Sequence, residues 1–175
     1  MSLTYPYLVT DAYPGTEDPL RSRPVGQGVY VQIVQDHGGV VRSPGPEQSV
    51  SHEGSIAAAL PEALINLERL LRSGVIGSRV FPNGPGGMPF ALFGGHWGAS
   101  SALMLPSLVS LLGPHLGEEL VASVPHREAL LVFPAADARS RDVARAFVHD
   151  QERDGANPLT PGLFALTANG PLAVD

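Results

Sequence analysis

The stretch Glu119-Leu120-Val121-Ala122-Ser123-Val124-Pro125-His126-Arg127-Glu128-Ala129-Leu130-Leu131-Val132-Phe133 decides the fold. Residues 119–124 and 129–133 are short, apolar, β-prone runs, and the Pro125-His126-Arg127-Glu128 turn between them leaves no room for a crossover helix. Two strands joined so closely run antiparallel. Upstream, Val29-Tyr30-Val31-Gln32-Ile33-Val34 and Val40-Val41-Arg42 repeat the pattern around Asp36-His37-Gly38-Gly39, and Ser43-Pro44-Gly45-Pro46 ends that hairpin. Arg79-Val80-Phe81 and Pro89-Phe90-Ala91-Leu92-Phe93 form another, around the loop Pro82-Asn83-Gly84-Pro85-Gly86-Gly87.

Helices separate the hairpins. Leu60, Leu64, Leu67 and Leu71 fall on one stripe, with Glu62, Glu68, Arg69 and Arg72 off it, so the spacing predicts a helix over 60–73. Pro61 suits its first turn and Gly74 its C-terminal cap; alternatively 55–59 is an earlier turn and Pro61 a kink. A second helix is predicted over 101–112, apolar nearly all round and ended by Gly113-Pro114. A third runs from an Asp137 cap to about 153, with Val143, Ala144, Phe147 and Val148 facing inward. Residues 163–167 make a last strand. This order lacks strict strand–helix alternation, so the expected fold is α+β: a single domain over 28–168, mainly antiparallel β-hairpins with about three helices packed against the sheet. An irregular arm, or a short edge element packing through Tyr5, Tyr7 and Leu8, is expected over 1–27, and a frayed tail over 169–175.

Composition excludes chemistry more than it suggests any. The chain has no Cys, which removes thiolate nucleophiles and thiolate metal sites. All 11 basic residues are Arg, so there is no Schiff-base, P-loop or kinase-type lysine. A formal charge of −6 with no basic arm argues against nucleic acid. No uninterrupted apolar run is long enough for a membrane span and no leader is evident, so a cytoplasmic protein is expected. No cofactor is expected.

Three blocks, Ala63-Leu64-Ile65-Asn66-Leu67, His96-Trp97-Gly98-Ala99-Ser100-Ser101-Ala102-Leu103 and Val124-Pro125-His126-Arg127-Glu128-Ala129-Leu130, resemble the YtpQ-like family of uncharacterised bacterial proteins in order and spacing. The likeness covers roughly residues 29–166. The family pattern carries an Asp after the Arg of the third block and an acidic residue before the aromatic of the second, where this chain has Glu128 and Gly94-Gly95-His96. The resemblance implies an α+β cytoplasmic protein and supplies no reaction.

Four candidate sites follow from the residues. Gly98-Ala99-Ser100-Ser101-Ala102, after a strand and before a helix, has the setting of a nucleophile elbow, with Ala102 in place of the second Gly. A serine hydrolase using Ser100 would draw on His126 or His149 as base, with Asp137 or Asp142 behind it; the structural alternative is a Ser100 or Ser101 helix cap. His37, His52, Glu53, His96, His115 and His126 are scattered without ligand spacing, so no metal site is expected. The loop 83–87 could offer backbone N–H groups to an anion but lacks a lysine, and a long flexible tip is the better reading. Arg127 and Glu128 read either as an ion pair fixing a turn or as an anion-binding site beside His126. With His96 and Trp97 they make up the expected ligand or partner surface. The reading overall is a non-catalytic interaction or accessory protein with a protein partner; the apolar second helix fits a homodimer as well as a deep core.

Overall fold

The computed structural model describes residues 3–38, 40–43, 55–135, 137–152 and 155–174. Alternating apolar residues in the hairpins build two antiparallel sheets. The first has four strands: β1 (Thr4–Thr10), β2 (Ser22–Gly26), β3 (Val29–Asp36) and β4 (Val41–Arg42), with β3 central. The second has six: β5 (Gly77–Phe81), β6 (Phe90–Gly94), β7 (Leu120–His126), β8 (Leu130–Pro134), β9 (Pro158–Thr167) and β10 (Gly170–Val174), in the order β10-β9-β7-β8-β6-β5. With helices α1 (Ile56–Arg72), α2 (Ser107–Leu116) and α3 (Ala138–Glu152), the chain is a single α+β domain.

The period of two along each strand sorts side chains into layers. Leu8, Val29 and Val31 of the first sheet meet Phe93, Ala122, Val132 and Phe164 of the second in one shared core, together with Leu60 and Leu67 of α1 and Leu108 and Leu112 of α2. On the other side of the six-stranded sheet, Phe90, Val121, Leu131, Phe133 and Leu163 pack against Ala144 and Val148 of α3. Tyr5, Tyr7, Val9 and Val34 form a third cluster on the far face of the first sheet, with Tyr13 and Trp97 laid against it.

Helix ends follow local chemistry. Gly74, at φ +77°, ends α1 with Gly74 N–H donating to Leu71 O at 3.1 Å and Val75 N–H to Leu70 O at 3.1 Å, a Schellman closure. α1 begins at Ile56 and runs through Pro61, so the stretch predicted as a separate turn is the helix's own first turn. Asp137 caps α3 as expected, its Oδ1 accepting from Ser140 N–H and Oγ, both at 2.7 Å. Those bonds hold the Asp137 carboxyl below the usual range.

Three expectations need correction. Of the two readings of 1–27, the irregular arm is wrong for residues 4–10 and the edge element holds: Tyr5, Tyr7, Leu8 and Val9 cover both faces of β1, and Pro6 is tolerated because β1 pairs only with β3. Residues 170–174 are β10, paired along their length with β9, rather than frayed. The helix predicted over 101–112 is two elements, a buried 3-10 turn over Ser100–Met104 and then α2. Pro106 starts α2, and Gly113-Pro114 lies inside it.

Candidate functional site

The β7–β8 turn, the loop after β6 and strand β1 converge at one edge of the molecule. Arg127 sits at the turn with its backbone clamped on both sides: Arg127 N–H donates to Asn157 O at 3.1 Å, and its own carbonyl accepts from Ser100 N–H at 3.3 Å. Its guanidinium carbon lies 4.7 Å from the centre of the Tyr7 ring and 5.8 Å from that of Tyr13. A cation over two tyrosine faces gains about 0.5–2 kcal/mol, more as the pair is desolvated. Yet Arg127 Nε is buried without a hydrogen-bond partner, and among the described residues no carboxylate forms an ion pair with the guanidinium. The expected Arg127–Glu128 ion pair is absent because the turn sends Glu128 out to solvent while the arginine folds back over Tyr7.

Aromatic rings extend this platform inward. Trp97 meets Tyr5 edge-on at 5.6 Å and Tyr7 at 5.8 Å, and His96 lies 4.7 Å from Trp97. Trp97 is therefore half-buried in the cluster. Gly98 N–H donates to His96 Nδ1 at 3.0 Å, so that nitrogen carries no proton and the imidazole is neutral. Burial lowers the His96 pKa, against an opposing pull from Asp36. Burial raises Tyr7, only partly offset by the Arg127 charge, so its phenol stays protonated at neutral pH.

Of the four residues expected on a ligand or partner surface, the structure brings Arg127 and Trp97 to Tyr7 and sets His96 on Trp97, while Glu128 is exposed and makes no ion pair with Arg127, its charge reaching Tyr7 only weakly. Sequence reading missed Tyr7 and Tyr13 as part of this group. The signal present was the period-two pair Tyr5-Pro6-Tyr7, whose odd positions share one sheet face.

The hydrolase arrangement does not assemble. Ser100 is fully buried, and its Oγ has no hydrogen-bond partner among the described residues, so no base reaches it. His149 is exposed on α3, beside Asp150 at 3.4 Å. The six-stranded sheet separates that helix from the Ser100 turn, because Ala102 and Leu103 belong to the core on one face and Ala144 and Val148 to the cluster on the other. The His126 ring packs against Gly155, where any Cβ would collide with it. Asp142 pairs with Arg145 at 3.2 Å on the surface. Neither Ser100 nor Ser101 serves as a cap: Ala99 holds that position, and no side chain bonds the 3-10 turn's start.

The 83–87 loop is no anion cradle either. Gly84 N–H donates to Met88 O at 2.7 Å and Gly87 N–H to Gly84 O at 3.0 Å, while Gly86 docks on Val143 of α3. His37 and His115 are exposed and far apart in sequence, and among the described residues no three His, Asp or Glu side chains gather as metal ligands. His52 and Glu53 lie outside the described residues. No described helix is long and apolar enough to cross a membrane. Comparison with protein-family models, curated proteins and solved structures finds no match.

Proposed function

We propose that the chain works by binding rather than by catalysis, and that Arg127 is where it takes an anionic group, a carboxylate or a phosphate, of a small ligand or a protein partner. One observation carries this reading: a guanidinium fixed over Tyr7 and Tyr13, with its Nε–H buried and no carboxylate of the described residues neutralising it. Arginine's planar fork is suited to a two-point contact with either anion. A buried donor left unmade costs about 1–3 kcal/mol. Tyr7, as a neutral phenol, adds an O–H donor without adding repulsion. An accessory protein of the bacterial cytoplasm, allied to the YtpQ-like family, is the setting this reading fits.

The test is the Arg127 Nε–Hε resonance in a 15N-edited NMR titration with inorganic phosphate and, separately, with succinate, ionic strength matched by chloride. A saturable shift with one of the two identifies the class. Shifts that track chloride equally well would remove the anion-site reading.

A further inference from the structure

The six-stranded sheet ends at β5, and no described strand covers its outer side. Gly77, Ser78, Arg79 and Val80 are all exposed. In an antiparallel edge strand alternate residues direct N–H and C=O away from the sheet, which makes the edge a template for another strand.

The two faces of this edge differ. Ser78 and Val80 pair with Phe93 and Ala91, whose side chains belong to the shared core. On that face a cavity of about 160 Å³ lies between the β5 residues Ser78, Arg79 and Val80, Phe93 of β6 and the α2 residues Leu111, Leu112 and His115. That is close to the ~150 Å³ apolar cavity that accepts a benzene-sized group, so it takes one aliphatic side chain. Leu111, 49% exposed, lines this cavity and keeps about half of its surface open to solvent. Arg79 and Phe81 sit on the other face, the guanidinium 4.8 Å from the Phe81 ring centre and free of any described ion pair.

Charge completes the pattern. The chain carries a net −6, yet residues 69–117 contain no Asp or Glu and do contain Arg69, Arg72, Arg79, His96 and His115. The segment that carries this edge is thus free of acidic residues along the chain, and Arg79 is the cation it places on β5. A second copy is disfavoured as occupant, since a two-fold antiparallel pairing centred on the strand's middle residue sets Arg79 opposite Arg79.

We infer that β5 accepts an extended peptide segment of another protein, one that alternates apolar and acidic side chains. Its backbone adds as a seventh strand; one of its apolar residues enters the cavity beside Leu111 and Leu112; an acidic residue, on the opposite face, meets Arg79. Affinity comes from the main-chain ladder and selectivity from the alternation. Arg79 is at once the residue that blocks self-pairing and the one that reads the partner.

Two fluorescein-labelled capped peptides test this, one repeating Val-Glu and one repeating Val-Lys, by anisotropy against the full chain, with 15N–1H spectra locating the contact. The Val-Glu peptide is expected to bind at least about tenfold more tightly, with shifts at 77–81 and 111–115. Arg79→Glu, an exposed change, should invert the preference, and Leu111→Lys should weaken both peptides. Equal affinity for the two peptides, or shifts centred away from β5, would overturn the inference. So would sedimentation showing a dimer that Arg79→Glu abolishes. Arg127→Gln should leave peptide binding intact, which keeps this result separate from the anion site.

Discussion

Ser100 and Arg127 are joined by one backbone hydrogen bond, 3.3 Å from Ser100 N to Arg127 O, yet they have opposite chemical standing. Ser100 lies in the motif that most resembles catalytic machinery, and the fold seals its hydroxyl in the core away from any base. Arg127 lies in a plain turn between two strands, and the fold sets its cation on tyrosines without supplying a counter-ion from the described residues. The difference teaches that an elbow-like setting in the sequence does not by itself leave a hydroxyl accessible. Burial and partner supply, which are set by tertiary packing, decide which polar group is left with something to do.

Four experiments sharpen or break that contrast. Tyr7→Ala has the largest expected effect: it removes a ring 7% exposed and holding Trp97 and Arg127 together, at about 3–5 kcal/mol in urea unfolding. Arg127→Gln comes next, costing about 1–2 kcal/mol of stability through the lost cation–π contact and abolishing anion binding by titration calorimetry.

The third is pH. The folded His96 pKa is depressed, so its contribution to stability is present above the unfolded histidine value and lost as pH falls through the folded one. Protonation also places a proton on the Nδ1 that accepts from Gly98. Trp97 is the only tryptophan, so its emission should red-shift across that acid window, and His96→Asn should flatten the change. A shift unaltered in His96→Asn would assign it elsewhere.

Smallest of all is Ser100→Ala, within about 1 kcal/mol of wild type in either direction, because it deletes a buried hydroxyl that bonds nothing described. A loss of several kcal/mol would mean that the hydroxyl is satisfied in solution.

The hairpins and α3 were legible because their signals are local: period-two apolar runs closed by turn residues, and Asp137 at its cap. β1 and β10 were not, because Pro6 and the short Gly170-Pro171-Leu172-Ala173-Val174 run look like loops until β3 and β9 pair with them. The 3-10 turn at Ser100 is helical in composition but ends at Met104, where Leu105 turns extended ahead of Pro106, as the residue before a proline tends to. At the site, Arg127 was visible as a candidate. Its seat on Tyr7 and Tyr13 was not, since those rings lie 120 and 114 positions away in the chain and meet it only through the packing of two sheets.

The most direct measurement is a Trp97 fluorescence titration with the anion that shifts Arg127, run on wild type, Arg127→Gln and Ser100→Ala in parallel. The account predicts a saturable change in wild type, the same curve in Ser100→Ala, and none in Arg127→Gln. A curve that survives Arg127→Gln, or one that disappears in Ser100→Ala, would contradict it.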